Sequence, residues 1–212
     1  MKIGFLIFPN LTPLDFVGPC QVLSQLPGAE IFVFWRTLDP ISTDAGFYLL
    51  PTHTLENAPQ MDVICIPGGP GQKGIMDDED ILDFVRSQGA GAKYVTSVCT
   101  GSLLLAKAGL LKGYKAGCHW VWRDQLKQFG AIPIDERVVI DRNRFTGGGV
   151  TAGIDFGLTL AAKLASPTVA KIIQLSLEYD PAPPFDVGSP KKAGLVKRQI
   201  VKRIFKKGYS VF

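Results

Sequence analysis

Short apolar runs alternate with amphipathic segments along most of the chain. Four runs have the length of buried parallel strands, at residues 2–8, 31–35, 61–66 and 93–98. Two more short strands are predicted at residues 138–140 and 144–146, around an Asp-Arg-Asn turn. The first run stops at Pro9-Asn10 and the third at a Pro-Gly-Gly-Pro-Gly stretch, which are typical strand ends.

Helix-start signals lie between the strand-like runs. Thr12 fits an N-cap, with Pro13 at the first helical position and the acid Asp15 at the third. Ser166-Pro167 repeats the cap and proline pattern. Helices are predicted over residues 13–26, 78–88, 103–108 and 151–164 and from residue 167, with an irregular hairpin at 39–50. This alternation predicts an α/β fold in which helices cover both faces of a parallel sheet.

A length of 212 residues is sufficient for one well-buried core. We find no internal repeat and no clear linker before residue 180, so residues 1–180 are predicted to form one α/β domain. Residues 181–212 begin with a proline-rich arm and continue into a basic helix. This segment is predicted to belong to the same domain or to a dimer interface.

Composition narrows the classes of function. No apolar stretch approaches the length of a transmembrane helix, and the N-terminus has no secretory signal, so a cytoplasmic location is expected. The four cysteines form no C-x-x-C pair, and the only histidines are His53 and His119. No zinc-like ligand cluster can be written from these residues, so no metal site is expected.

The net charge of +4 hides an uneven distribution. Residues 191–207 hold eight of the 23 basic residues and none of the 19 acidic ones, so the remainder of the chain is slightly acidic. Such a segment could bind nucleic acid or an anionic surface. Leu195, Ile200, Ile204 and Phe205 interleave with the charges. This pattern favours an amphipathic helix packed on protein, with neither nucleic acid nor membrane as a partner.

Cys99 follows the fourth apolar run and directly precedes a helical stretch. Ser97-Val98-Cys99-Thr100-Gly101 has the form of a nucleophile elbow with cysteine in the place of serine. Such a turn is expected to expose the sulfur at the positive end of the following helix and to lower its pKa. A buried structural cysteine is the alternative, and the position on the turn favours a reactive one.

Two other segments are expected at the same edge of the sheet, because parallel strands end together. Asp15 follows the first strand, where it could complete a capping box or face Cys99 as a general acid and base. Gly68-Gly69 follows the third strand, where it could only make a turn or could aim backbone N–H groups at an oxyanion. Thr100 would add another N–H group and a hydroxyl.

Two further features have weaker chemical signals. Gly147–Gly149 precedes a helix but matches no phosphate-binding motif, so a close-packed loop near the sheet edge is favoured. His119 could pair with Cys99, although a packed structural histidine is the better interpretation.

Residues 94–102 (YVTSVCTGS) resemble the nucleophile-elbow signature of the ThiJ/PfpI superfamily, which has a flavodoxin-like, class I glutamine amidotransferase-like fold. The resemblance is nearly chain-long and is carried by residues 3–9, 14–19, 62–69, 146–156 and 177–185. The last two stretches are narrower in distribution and resemble the isocyanide (isonitrile) hydratase branch.

This resemblance implies a nucleophilic Cys99, a carboxylic partner in Asp15 and a homodimer. It also implies that Thr100 acts in catalysis, and it places further residues around the substrate: Gly68, Gly69, Val150, Cys118 and His119. Amidase-like and protease-like members carry histidine in place of Thr100, which argues against those reactions. Gly117-Cys118 stands where hydratase-like relatives usually have Thr-Thr, a departure that bears on the choice of substrate.

The implied activity is that of a hydro-lyase, which adds water to a small isocyanide and gives an N-substituted formamide. No metal or organic cofactor is implied for this reaction. The alternatives are a glyoxalase- or deglycase-like enzyme and a non-enzymatic redox or ligand sensor. A single basic helix at the end of the chain leaves no room for a helix-turn-helix pair, so direct DNA regulation is disfavoured.

Overall fold

The computed structural model describes residues 1–206. The strands in this range are β1 (Lys2–Leu6), β2 (Glu30–Trp35), β3 (Ile41–Ser42), β4 (Tyr48–Leu49), β5 (His53–Thr54), β6 (Val63–Ile66), β7 (Tyr94–Val98), β8 (Lys115–Ala116), β9 (Ile132–Pro133), β10 (Val138–Asp141) and β11 (Arg144–Gly147). The helices are α1 (Pro13–Leu23), α2 (Gln72–Ile75), α3 (Glu79–Gly91), α4 (Gly101–Lys107), α5 (Ala152–Leu164), α6 (Pro167–Ser176) and α7 (Pro190–Lys206), with a 3-10 helix at Arg123–Phe129.

A seven-stranded sheet in the order β10-β11-β7-β6-β1-β2-β5 forms the centre of the fold. Its neighbouring strands are parallel except for the antiparallel pair β10 and β11. The residues of β6 and β7 are all buried, as expected for strands covered on both faces. This arrangement confirms the predicted flavodoxin-like α/β fold.

Helices α1 and α5 pack closely together through small residues. A Cβ atom on Gly18 would lie 3.3 Å from Ile154 Cγ1, and one on Gly157 would lie 3.0 Å from Val22 Cβ. Because α1 carries Asp15 and α5 follows the glycine-rich loop, this contact fixes the positions of both segments. Helix α4 begins directly after Cys99 and packs against β7.

The predicted elements are present with small shifts at their ends. The first strand ends at Leu6 rather than at residue 8, and the first helix ends at Leu23 rather than near residue 26. Ser166 caps α6 as expected, since its hydroxyl accepts a hydrogen bond from the Val169 N–H at 3.2 Å. The two-residue strands β5, β8 and β9 were not predicted, because they are too short to show a period.

The predicted hairpin at residues 39–50 contains β3 and β4, which pair antiparallel. It is tied to the loop after β1, where the Asn10 N–H donates to Ser42 O at 2.8 Å and the Asp44 N–H donates to Leu11 O at 3.0 Å. The hairpin is therefore anchored just before the helix that carries Asp15.

The chain divides into two compact units, Met1–Leu177 and the segment that starts at Glu178. Within the second unit, α7 is interrupted at Gly194, whose φ of 72° is not helical. Lys207 and residues 208–212 of the predicted basic segment lie outside the described residues. In the described part of the chain, no helix combines the length and the apolar character needed to cross a membrane.

Candidate active site

Cys99 occupies a strained turn between β7 and α4. Its φ of 57° lies in the left-handed region that side chains rarely adopt, and its N–H donates to Gly147 O at 3.1 Å. A Cβ atom on Gly101 would lie 2.0 Å from Ile66 O, so this position requires glycine. Strain at a turn of this kind is typical of functional sites. The elbow predicted from the sequence is therefore formed.

The fold brings Asp15 to the same place. Thr12 stands at the N-cap position of α1, but its hydroxyl donates to Asp44 Oδ2 at 2.6 Å instead of capping the helix. The Asp15 side chain is fully buried, and its Oδ2 accepts a hydrogen bond from the Gly68 N–H at 3.0 Å. The geometry favours the acid–base interpretation of Asp15 over the capping box.

Gly68 and Gly69 orient the neighbouring groups. While the Gly68 N–H binds Asp15, the Gly69 N–H donates to Thr100 Oγ1 at 3.1 Å. A Cβ atom on Gly68 would lie 2.5 Å from Thr100 Oγ1 and 2.9 Å from Asp15 Oδ2. The three segments expected at one sheet edge thus meet there. A role for these N–H groups as oxyanion donors stays a prediction.

The sulfur of Cys99 is buried, contrary to the expectation that the turn exposes it. Burial raises the pKa of Cys99 well above its usual value, the Asp15 charge and Cys118 add to the increase, and the Thr100 N–H opposes it. The predicted lowering of the pKa is therefore wrong for the isolated chain. One turn of helix cannot offset the loss of hydration around a fully buried thiolate.

Asp15 also departs from the ordinary behaviour of a carboxyl group. Burial raises its pKa from 3.8 to about 7, the Gly68 N–H and the Cys99 thiol lower it, and the charge of Asp44 raises it slightly. Its Oδ1 is buried and accepts no hydrogen bond from the described residues. Because burial disfavours both anions, the Cys99 thiol keeps its proton near neutral pH, while Asp15 is both protonated and deprotonated to a substantial extent. The carboxyl group can therefore give a proton to a bound molecule or take one from it.

The glycine-rich loop lies beside the elbow, as predicted. Gly147 accepts the Cys99 N–H, and a Cβ atom on Gly149 would lie 3.6 Å from His119 Cδ2. Val150 is half-buried and packs against the hydrophobic core. Its contact with a substrate stays a prediction.

Cys118 and His119 are both buried next to these segments. Cys118 is close enough to Cys99 to influence its pKa, and burial raises the pKa of Cys118 itself. Burial lowers the pKa of His119 to about 4, so its ring is neutral at neutral pH. The ring Nδ1 faces the Val121 N–H at 3.4 Å. These features agree with the interpretation of His119 as a packed histidine.

Two other groups near the site have no signal in the sequence. Asp44, from the hairpin, is joined to Thr12 and places a second carboxyl group near Asp15. Ser97, Ser102 and Thr146 form buried hydrogen bonds around Gly117. The sequence predicts Ser97 as part of the elbow, but the contacts with Gly117 join segments far apart in the chain and have no local pattern. Within residues 1–206, no three His, Cys, Asp or Glu side chains are grouped so that they could hold a metal ion.

Comparison with known proteins agrees with this geometry. The profile of the DJ-1/PfpI family matches residues 1–163. The chain belongs to the DJ-1/PfpI family. Within the DJ-1/PfpI group, the isonitrile hydratase of Pseudomonas putida is 54% identical over 193 residues, which cover 91% of this chain and 85% of that protein. The resemblance inferred from the sequence motifs is thereby confirmed.

Two further proteins are similar to this chain. A crystal structure of a ThiJ/PfpI family protein from Pseudomonas syringae superposes with a TM-score of 0.95 at 47% identity, covering 98% of this chain and 87% of that one. An HTH-type transcriptional regulator of Pseudomonas aeruginosa is 34% identical over 171 residues, which cover 76% of this chain but only 46% of the regulator.

Proposed function

We propose that the protein is an isonitrile hydratase, a hydro-lyase that adds water to a small isocyanide, R–NC, and releases the N-substituted formamide. The observation that carries the proposal is the buried pair of Cys99 and Asp15 at the elbow, whose side chains interact and whose pKa values are both raised by burial. The chain that holds this pair is 54% identical to an isonitrile hydratase.

The first step starts from a Cys99 thiolate and a protonated Asp15, which form when the thiol passes its proton to the carboxylate. The thiolate attacks the terminal carbon of the isocyanide. Asp15 then donates its proton to that carbon, which gives a thioimidate, R–N=CH–S, on Cys99. A carboxyl group with a pKa of about 7 is suited to this transfer because it is readily protonated and deprotonated near neutral pH.

The second step consumes water. The Asp15 carboxylate takes a proton from water as the oxygen adds to the thioimidate carbon, and passes that proton to the nitrogen. The tetrahedral adduct then gives its hydroxyl proton to Asp15 and expels the Cys99 thiolate. Formamide leaves, and the starting thiolate and carboxylic acid are restored, so one isocyanide and one water give one product.

Thr100, Gly68 and Gly69 support these steps by orientation. The Thr100 N–H lies against the sulfur, and the Thr100 hydroxyl accepts from Gly69. We assign the catalytic contribution of Thr100 to holding the Cys99 thiolate. Val150, Cys118 and His119 complete the proposed substrate site. Isocyanide hydration by these steps uses only side chains and water, so the proposal includes no metal or organic cofactor.

Intact mass spectrometry after brief incubation with an aryl isocyanide tests the proposal. We expect formamide to accumulate and an adduct of isocyanide mass to appear on Cys99. Cys99→Ala should abolish both signals. Cys20→Ala is the matched control, since Cys20 is half-buried on α1 and burial raises its pKa to about 11. If formamide did not form from any simple isocyanide, or if Cys99→Ala retained turnover, the proposal would be wrong.

A second substrate distinguishes the proposal from a glyoxalase- or deglycase-like activity. The same preparation is incubated with methylglyoxal, and lactate is measured. We expect lactate formation to be much slower than formamide formation. Faster conversion of methylglyoxal would favour the alternative activity over isocyanide hydration.

The proposal extends to a cytoplasmic homodimer. Helix α6 leaves Ile172 and Leu175 exposed, the latter by 81%, and α7 exposes Leu195, Val196 and Ile200. A second copy that covers some of these side chains would remove apolar surface from water. Light scattering coupled to size-exclusion chromatography should give twice the 23.0 kDa chain mass. A monomeric mass at micromolar concentration would contradict the dimer.

A further inference from the structure

A buried chain of hydroxyl groups connects the elbow to Gly117. Ser102 Oγ donates to Gly117 O at 2.6 Å, and Ser97 Oγ lies 2.8 Å from Ser102 Oγ. Because Ser102 gives its only hydroxyl proton to Gly117, the Ser97 hydroxyl donates to Ser102. Both serines are fully buried. Ser97 lies two residues before Cys99 and Ser102 three residues after it. The hydrogen-bonded hydroxyl groups therefore belong to the turn that carries the nucleophile.

A second hydroxyl holds the other side of Gly117. The Gly117 N–H donates to Thr146 Oγ1 at 2.7 Å, and Thr146 directly precedes the residue whose carbonyl accepts the Cys99 N–H. β8 ends at Ala116, so Gly117 lies beyond that strand. A Cβ atom on Gly117 would lie 3.2 Å from Thr146 O. Both backbone groups of Gly117 are therefore bound by side-chain hydroxyls, one from α4, which begins after the elbow, and one from β11, which lies beside β7.

Gly117 is followed directly by Cys118 and His119. Cys118 is buried, and the His119 ring packs against Gly149 in the loop beside the elbow. The three residues 117–119 consequently run along one side of the site. The two hydrogen bonds at Gly117 hold the start of this segment. At its other end, the His119 carbonyl accepts from the Trp122 and Arg123 N–H groups.

We propose that Ser102 and Thr146 are positioning residues, which clamp Gly117 so that Cys118 and His119 form one wall of the substrate site. The inference rests on the proposed hydratase function. Neither hydroxyl touches the reacting atoms in this scheme. Their effect reaches the substrate through the wall, whose displacement by about 1 Å is enough to reduce the rate by up to about 100-fold.

Thr146→Val removes the hydroxyl with almost no change of shape, and Thr146→Ser retains it. Thr96→Val is the matched control. Thr96 is also fully buried and lies on the adjacent strand, but its hydroxyl donates to Ile64 O of β6 at 2.9 Å and not to Gly117. Ser102→Ala provides a second, independent loss of the clamp.

Kinetics with an isocyanide form the first measurement. We expect Thr146→Val and Ser102→Ala to lower kcat/KM by about 10- to 100-fold, mostly through a higher KM. Thr146→Ser should restore it to near the unaltered value, and Thr96→Val should leave it unchanged despite a similar loss of thermal stability. If Thr146→Val and Ser102→Ala kept kcat/KM within about twofold, or if Thr96→Val lowered it equally, the positioning role would be overturned.

Alkylation of Cys99 by iodoacetamide, followed by mass spectrometry, needs no isocyanide turnover. A loosened wall should make the buried sulfur more accessible, so Thr146→Val and Ser102→Ala should be alkylated severalfold faster than Thr96→Val and Thr146→Ser. Failure of the hydratase proposal would leave this result unaffected. Equal alkylation rates in all four variants would refute the clamp.

Discussion

The Gly68 N–H donates a hydrogen bond to Asp15 Oδ2 at 3.0 Å, across 53 residues of sequence. This contact joins the loop after β6 to the first turn of α1. It leaves Asp15 Oδ1 without a partner among the described residues, while the carboxyl group interacts with Cys99. The backbone therefore fixes one carboxyl oxygen and leaves the other for chemistry.

Asp15→Asn tests the proton-transfer role. Asparagine keeps an acceptor for the Gly68 N–H but cannot exchange a proton with Cys99 or with the substrate carbon. We expect kcat for isocyanide hydration to fall by about 100- to 10,000-fold with the fold intact. Circular dichroism and stopped-time formamide assays measure the two properties. Activity within about tenfold of the unaltered protein would exclude Asp15 as the proton donor and acceptor.

The raised pKa of Asp15 predicts a pH-dependent stability. The native carboxyl group keeps its proton up to about pH 7, whereas the unfolded one loses it near its ordinary value of 3.8. Between these values the native state binds more protons, so this group stabilises the fold at low pH and the effect is lost as pH rises. The complete loss is at most about 4 kcal/mol.

Urea unfolding of the unaltered protein and of Asp15→Asn at several pH values measures this effect. The variant has no titrating group at residue 15. Its free energy of unfolding should therefore increase relative to that of the unaltered protein as pH increases from about 4 to 8. A difference that stays constant over this range would show that Asp15 titrates normally.

Gly68→Ala should damage catalysis more than stability. The new Cβ would lie 2.5 Å from Thr100 Oγ1 and 2.9 Å from Asp15 Oδ2, so the catalytic groups must move. We expect kcat/KM to fall by about 100-fold, as for other misplacements of about 1 Å. Gly74→Ala is the matched control, because a Cβ there meets no atom within 4 Å. The prediction fails if both alanine variants turn over isocyanide at the same rate.

His119 contributes a pH dependence of stability that is opposite in sign to that of Asp15. Burial lowers its pKa from 6.5 to about 4, so the unfolded chain binds a proton here that the native chain does not. The stability contributed by the neutral ring is present above pH 6.5 and is lost as pH falls towards 4, by at most about 3 kcal/mol.

His119→Gln should therefore lose less stability on acidification than the unaltered protein does, as measured by urea unfolding. Parallel acid dependence of the two proteins would contradict the lowered pKa of His119.

The sequence by itself determined the order of the elements and the location of the elbow. A short, nearly continuous apolar run such as residues 61–66 suits a strand that is covered on both faces. Its prediction as a strand therefore needs only the local sequence. Ser166-Pro167 starts α6 because a cap needs only its own first turn. Gly101 after Cys99 was equally informative, since a tight turn excludes a side chain there.

Only the tertiary structure decided which groups of the site contact each other. Thr12 fits an N-cap by sequence, yet its hydroxyl binds Asp44 from a distant hairpin. The pKa of Cys99 is raised rather than lowered because the fold buries the sulfur completely and places the charge of Asp15 nearby. The bonds of Ser102 and Thr146 to Gly117 also have no local pattern. Burial and long-range hydrogen bonds depend on which segments meet, and a chain read in order does not contain that information.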